Sequence, residues 1–314
     1  MTGSVPGSPA AVLQAVLRQN PNAASTSYGP GVFTTASNLP HLPSLMDEVV
    51  LLPQNAYLDA NVEIGGNLTV DGSLTASSTL YDSTVLADSP VLWWKLNETS
   101  GSTAADSSGN SHTGTYSSVT QGLWGPIIAN ASETSGQFAS ASSSKVTSSY
   151  NPSGFTALTV EAWVNQLGLG QPGGGNPRIA DNSHTDSDNN GFQFFLMGSA
   201  GSYYPTLYVG NGSTNTNAAT ASVAVPAYGW GYVAGVWNGN GDGKARTYLN
   251  GILVGTSAGS VSTMSAGSGA GVVAGIGIPY NGDYFTGLIA QIAVYSTALS
   301  QARLIAHYQA GAYS

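Results

Sequence analysis

Cysteine is absent from this 314-residue chain, which excludes disulfides, thiolate metal sites and a cysteine nucleophile. Charge is nearly as scarce. Only 7% of residues are charged, 7 of them Lys or Arg against 16 Asp or Glu, and the formal net charge is -9. A nucleic-acid binder releases counterions through clustered Lys and Arg, and cations so few and scattered make no such patch. Long apolar runs are lacking too. The opening MTGSVPGSPAAVLQAVLRQN has no basic segment before its apolar stretch, which is too short and interrupted for a signal peptide or a membrane span. The expectation is a soluble protein made in a cytoplasm, with no membrane insertion and no nucleic-acid partner.

What the chain does have is 41% hydrophobic residues and 41 glycines, the balance of strands joined by many tight turns. Ser8-Pro9 reads as an N-cap and first helical residue, and a helix with the apolar stripe Val12, Leu13, Val16 and Leu17 then runs to Asn20-Pro21. One short amphipathic helix cannot bury its stripe alone, so these four residues are expected to dock on another subunit or on the rest of the chain. The following stretch carries Pro21, Pro30, Pro40, Pro43 and Pro53. It reads as an extended arm that wraps a partner, or as a linker. Residues 61–76, NVEIGGNLTVDGSLTA, step from IGGNLT to VDGSLT, a pattern that fits either a lone hairpin or a short β segment pairing with copies from other chains. The expected division is an attachment arm over 1–60, a short β oligomerisation or linker segment over 61–87, and a large domain over 88–314.

From residue 88 the pattern is strands: VLWWKLN, LTVEAWVNQ, GFQFFLMG, PTLYVG, YVAGVWN, ARTYLNG, ILVG and LIAQIAVYS. Between them lie turns such as Asn211-Gly212, Asn240-Gly241, Asn250-Gly251 and Asn281-Gly282. Many short strands without βαβ alternation predict an all-β, antiparallel two-sheet sandwich. A short C-terminal helix, ALSQARLIAHYQAG, ends it, with Ser300 as N-cap, Leu304, Ile305 and Tyr308 as the apolar face, and Gly311 as the stop. In VLWWKLN, period two sets Leu92, Trp94 and Leu96 on one face and Trp93 with Lys95 on the other. That alternation makes Trp94 a core residue and leaves Trp93 to cover a loop, meet the arm or another subunit, or stand exposed.

Residues 91–311 resemble the laminin-G-like jelly roll of the concanavalin A-like lectin and glucanase superfamily. Four stretches carry the likeness in order: WKLNETSGSTAADSSGNSHTGTY, FTALTVEAWV, GWGYVAGVWNGNGDGKARTYLNGILVG and FTGLIAQIAVYSTALSQARLIAHY. The resemblance implies two curved antiparallel sheets in a jelly roll. It also exposes departures. An Asp-Glu pair usual before the last helix is Ala290-Gln291 here, an acidic residue in that helix's first turn is Arg303, and the hairpin usually written Tyr-Val-Asp-Gly is Tyr248-Leu249-Asn250-Gly251. Arg303 also removes the capping box. Asp106 with Asn110 matches the family's Asp-Ser-Ser-Gly-Asn turn, implying either a polar clasp between loop and sheet or a calcium site.

Three chemistries merit weighing. Retaining glycoside hydrolysis needs two carboxyl groups about 5 Å apart, and the tempting strand TVEAWVNQ offers Glu161 alone, on one face with Trp163 and Asn165. The histidines at 41, 112, 184 and 307 lie too far apart to form a recognisable triad or zinc spacing. Asp186, Asp188 and Asn190 before Gly191 match the first half of an oxygen-ligand calcium loop, though the twelfth position is Met197; the alternative is a solvated hairpin turn. Sixteen tyrosines and six tryptophans suit sugar recognition, with rings against pyranose faces and amides on hydroxyls. Tyr203, Tyr204, Tyr228, Trp230, Tyr280 and Tyr284 lie in or beside expected loops and are the candidate glycan-binding rings, whereas Trp163 and Trp237 are expected in the core.

Residues 61–76 resemble the GNLTV-GNLT segments of bacteriophage tail and fibre proteins, which sit in trimeric shafts. The leading expectation is therefore a non-enzymatic bacteriophage virion structural protein, a tail fibre, minor tail or head-decoration component on the virion surface. It would dock to other virion proteins through its arm, assemble as a homotrimer and display a lectin-like domain to cell-surface glycans, with calcium as its one candidate cofactor. A free carbohydrate-binding lectin-like protein and a glycoside hydrolase are the other readings.

Overall fold

A computed structural model of the chain describes residues 78–127, 132–167, 176–183, 189–199, 202–216, 218–219, 223–267, 271–275 and 283–312. The docking stripe of Val12, Leu13, Val16 and Leu17, the arm, the 61–76 steps, Asp186, Asp188 and Tyr280 lie outside the described residues.

Period-two alternation of side chains between the two faces of the longer strands builds the expected antiparallel sandwich. The first sheet runs in the order β14 (Ile252–Thr256), β13 (Ala245–Leu249), β12 (Trp230–Asn238), β7 (Ala157–Gln166), β16 (Gly287–Tyr295), β5 (Ser135–Phe138) and β4 (Thr120–Leu123). β1 (Leu92–Trp94) also pairs with β16. The second sheet runs β11 (Ala218–Ala219), β10 (Ser202–Val209), β9 (Phe192–Ser199), β8 (Arg178–Asp181), β15 (Val273–Ala274), β6 (Lys145–Thr147), β3 (Gly114–Ser117) and β2 (Thr103–Ala104). Every strand named from the alternation is present.

Between the sheets lies one core. Alternate residues of β7 (Leu158, Val160, Ala162, Val164) meet Trp94, Phe192, Phe194, Leu207 and Trp237 there. In the central strands β7, β12 and β16 the alternate residues point outward, and nearly all of them are buried as well. Trp93, Trp163, Tyr232, Ala234, Ala290, Ala293 and Tyr295 form a second core with Tyr81, Val85 and Leu304 from two helices. These are α1 (Ser78–Leu86) and α2 (Gln301–Ala312). Trp93, left open by the sequence, is thus 1% exposed.

Strand β16 serves both cores, and one inserted residue resets its alternation part-way along. Ile289 and Ile292 both face the inter-sheet core although an odd number of steps separates them. The parity is restored at Gln291, which has φ +58 at the register shift between Ala290 and Ala293, as a β-bulge does. One edge of β16 pairs with β5 through Gly287, Leu288 and Ile289, then with β1 through Ile292, Ala293 and Val294. The bulge marks that handover.

Three expectations for the helices need correction. Residues 78–86, assigned to a β linker segment, form α1, because Tyr81 and Val85 four residues apart bury one side of a helix in the second core. Gly311 does not stop the last helix, which continues to Ala312. Its role is close approach: a Cβ there would stand 2.6 Å from Cζ2 of Trp163. The buried face runs through Leu304, His307, Ala310 and Gly311, rotated from the expected one, with Ile305 and Tyr308 half-buried. Ser300 does cap the helix, its Oγ accepting from the Arg303 amide at 3.3 Å. The Asn250-Gly251 turn holds φ of +51 and +78, the left-handed pair a two-residue hairpin requires.

Gly311→Val is expected to lower stability by about 1–3 kcal/mol through overpacking against Trp163. Thermal unfolding followed by tryptophan fluorescence checks it, and an unchanged midpoint would mean that α2 does not need this approach.

Candidate functional site

Strand β7 places Glu161, Trp163 and Asn165 in a row on the outer face of the first sheet, and the three meet different fates. Glu161 is fully buried. Its carboxylate accepts the hydroxyls of Tyr232 at 2.5 Å and Tyr295 at 2.8 Å, and lies 3.0 Å from Nδ1 of His307. His307 carries the chain outward, with Nε2 2.8 Å from Oδ2 of Asp88. Asp88 also receives Nε of Arg303 at 2.8 Å, and Arg303 donates to the Thr84 carbonyl at the end of α1. A histidine bridging two carboxylates donates to both only when protonated. Burial alone would push the His307 pKa down, but the charge and hydrogen bond of Glu161, then those of Asp88, overcome it and hold the pKa above its ordinary value. Burial and the Glu161 charge push Tyr232 and Tyr295 well up, so both remain hydroxyl donors. Glu161 thus has neither solvent nor a second carboxylate beside it, which is the wrong setting for acid and nucleophile work.

Asn165 is the contrast. Four residues along the same face it is also fully buried, yet neither Oδ1 nor Nδ2 has a hydrogen-bond partner. Directly across the strand pair stands Trp230, whose Nε1 is likewise solvent-excluded and unpartnered. The half-buried Trp230 indole packs on the second core and meets Trp124 edge to face at 5.5 Å, 81° between planes. Trp124 is 59% exposed and Tyr228, two residues before Trp230, is 66% exposed. Tyr228 holds φ +59, rare for a bulky residue, and donates its amide to the Gln166 carbonyl. This corner offers two exposed rings, a third half-buried ring and an unsatisfied amide.

The other expected ring residues scatter. Tyr203 is buried in the inter-sheet core at 2% exposure, because alternation in β10 turns it inward, so it is no surface ring. Tyr204 is half-buried in β10, and Tyr284 is half-buried against Val273. Trp124 had no flanking pattern to single it out, and Asn165 showed only its place in the alternation.

At the opening turn, Asp106 is spoken for. Its Oδ1 accepts the amides of Trp93 at 2.9 Å and Ser108 at 3.0 Å, and its Oδ2 that of His112 at 2.8 Å. Burial raises its pKa, but these hydrogen bonds outweigh it and the net shift is downward. The Asn110 amide donates to the carbonyls of Pro90 and Val91. Three N–H groups aimed at one carboxylate stabilise its charge, and with the Asn110 contacts they make the pair a polar clasp between loop and sheet. Asn190 accepts from Ser265 Oγ at 3.0 Å. Among the described residues no three His, Asp or Glu gather as a metal site.

The model of the concanavalin A-like lectin/glucanases superfamily matches residues 136–304, more than half of the chain. The chain belongs to this superfamily. Among solved structures, the binding domain of Paraclostridial Mosquitocidal Protein 1 matches with a TM-score of 0.53 at 15% identity, over 71% of this chain and 52% of that one. The botulinum neurotoxin serotype D binding domain matches at 0.50 and 17%, over 71% and 52%. Domain 4 of AbnA, a GH43 extracellular arabinanase from Geobacillus stearothermophilus, in complex with arabinotriose, matches at 0.49 and 15%, over 70% and 98%. This superfamily member spans about half the length of the two toxin domains, and at such identities the likeness is one of fold alone. A search of curated proteins found no match.

Two of the superfamily departures find local compensation. Gln291, in place of an acid, accepts from Nε1 of Trp93 at 3.0 Å and donates to Glu133 at 2.8 Å. Arg303, in place of another, finds its acid in Asp88.

Because the folded pKa of His307 is raised, its contribution to stability is full below the ordinary imidazole value near pH 6.5 and is lost as pH rises through the raised value. Denaturant midpoints are expected to fall across that alkaline range, and His307→Gln to flatten that slope. Glu161→Gln is expected to cost about 3 kcal/mol or more by breaking a buried charged cluster, as measured by urea unfolding near pH 6.

Proposed function

We propose that the protein is a non-enzymatic, lectin-like carbohydrate-binding module that mediates adhesion to cell-surface glycans. The observation that carries this reading is the corner of Trp124, Tyr228 and Trp230, exposed or half-buried rings on a rigid sheet with unsatisfied amide chemistry beneath them. Aromatic faces for sugar rings and a few convergent polar groups are what such a site requires. The lone acid on the glucanase-like strand is locked by Tyr232, Tyr295 and His307, which disfavours hydrolysis. Membership in a superfamily that includes lectins agrees with this reading.

The wider setting we propose is the surface of a bacteriophage particle, as a tail fibre, minor tail or head-decoration component docked through residues 1–60 and trimeric through the 61–76 steps. Its support lies in the resemblance of IGGNLTVDGSLT to phage fibre segments and in the apolar spacing of Val12, Leu13, Val16 and Leu17 in the sequence.

The full chain, passed over a glycan array and incubated with a polysaccharide panel, is expected to retain glycans and to release no reducing ends. Release of reducing ends that disappears in Glu161→Gln would overturn the non-enzymatic reading. Antibody labelling of purified particles and a trimeric sedimentation coefficient are the expected signs of the virion setting.

A further inference from the structure

We infer that Trp124, Trp230 and the amide of Asn165 form a subsite for a neutral sugar ring, in which Asn165 binds vicinal hydroxyls and Trp230 moves aside to admit them. This inference rests on the carbohydrate-binding reading above and gives it a place and a ligand class.

The first argument is unsatisfied chemistry. Native chains leave few buried polar atoms without partners, and each exception calls for an explanation. Here three such atoms, Oδ1 and Nδ2 of Asn165 and Nε1 of Trp230, fall on one cross-strand pair. Together they supply two kinds of donor and one acceptor. Adjacent sugar hydroxyls, each able to donate and accept, match a carboxamide in this way. An apolar protein partner would leave all three atoms unsatisfied, so the corner is poorly made for one.

The second argument is access. No hydrogen bond holds the Trp230 indole nitrogen, and the indole is packed on only part of its surface. Its edge-to-face neighbour Trp124 is mostly exposed. Trp230, directly across from Asn165, can therefore turn without breaking a side-chain hydrogen bond, and Trp124 remains as a stacking face.

The third argument is charge. Among the described residues, Arg178 is paired with Asp181 and Asp283, Arg246 with Asp242, Arg303 with Asp88, and Lys95 with Asp82 and Glu133. Lys145 lies on β6 of the other sheet, and Lys244 follows the far end of β12 from Trp230. No described cation is left at this corner to meet a sialic acid or a sulfated sugar, so the ligand is neutral.

The test uses the full chain on an array of neutral, sialylated and sulfated glycans, followed by calorimetric titration of the best neutral glycan and thermal unfolding. Two variants accompany it, Trp124→Ala, which truncates an exposed ring, and Asn165→Leu. Neutral glycans are expected to bind with a change in tryptophan emission, and each variant to weaken binding by about tenfold or more. Asn165→Leu is also expected to raise the melting temperature, since it removes an unsatisfied buried amide. That pairing of higher stability with lost affinity is what a purely structural asparagine cannot give. Unchanged affinity in both variants would move the site elsewhere and leave the carbohydrate reading standing. Loss with Trp124→Ala alone, or a lower melting temperature for Asn165→Leu, overturns the role of the amide. Retention of acidic glycans only overturns the ligand class, and retention of none overturns the reading and the subsite together.

Discussion

The carboxylate of Glu161 sits where no water reaches it, at the centre of the first sheet's outer face. A buried charge is tolerated only if partners replace its hydration, and each partner here brings a structural obligation. Tyr232 and Tyr295 come from the strands on either side, so the sheet register is tied to the acid. His307 comes from α2, and as a bridging imidazolium it needs a second anion, supplied by Asp88 just beyond α1. Asp88 in turn holds Arg303. The chain of contacts thus runs from the middle of a strand to the protein surface, passing through both helices. Hydrophobic burial of Tyr81, Trp93, Trp163 and Leu304 supplies the bulk of the attraction between helices and sheet. The polar chain supplies direction, since only one placement of α1 and α2 satisfies every member.

Much of this was legible in period two. The alternation in TVEAWVNQ put Glu161, Trp163 and Asn165 on one face, and the alternation in VLWWKLN sent Trp94 to the core, both as found. What stayed hidden depended on contacts remote in sequence. Trp93 stayed open in the sequence because Lys95 shares its face, but Lys95 covers the Trp93 ring at 5.0 Å and pairs with Asp82 and Glu133. The helix α1 was missed because only the pair Tyr81 and Val85 is buried, while Leu80 and Leu86 beside them stay exposed and blur the pattern. Gly311 read as a terminator by propensity, whereas the bulk of Trp163, from a strand far away, is what selects glycine there. In the candidate site, Tyr228 and Trp230 were legible as aromatics near a turn, while Trp124 becomes relevant only when folding sets it beside Trp230.

Replacement of acids by Ala290 and Gln291 follows the same physics. Position 291 lies at a bulge where β16 changes neighbours, and its side chain must still meet an indole donor and hold the handover together. An amide does this without a charge, and its free N–H group then requires an acceptor, which Glu133 provides. The acid beside this position is Glu133 on a loop, where Lys95 and Asn97 also reach it.

One face of one strand therefore contains two opposite solutions to the same problem. At Glu161 the charge is fully met, which makes the residue indispensable to the fold and useless to a substrate. At Asn165 nothing meets the amide, at an estimated cost of about 1–3 kcal/mol for each unsatisfied group. Leucine or valine there would pack against Leu288 and Trp230 without that cost, as apolar residues already do at most positions facing the helices. Stability alone gives no reason for an asparagine beside exposed tryptophans. Strained or unsatisfied groups held by an otherwise well-satisfied frame mark positions where function opposes stability. The rigid network around Glu161 is what lets this fold carry such a position, because it fixes β7 and β12 independently of what happens at their open end.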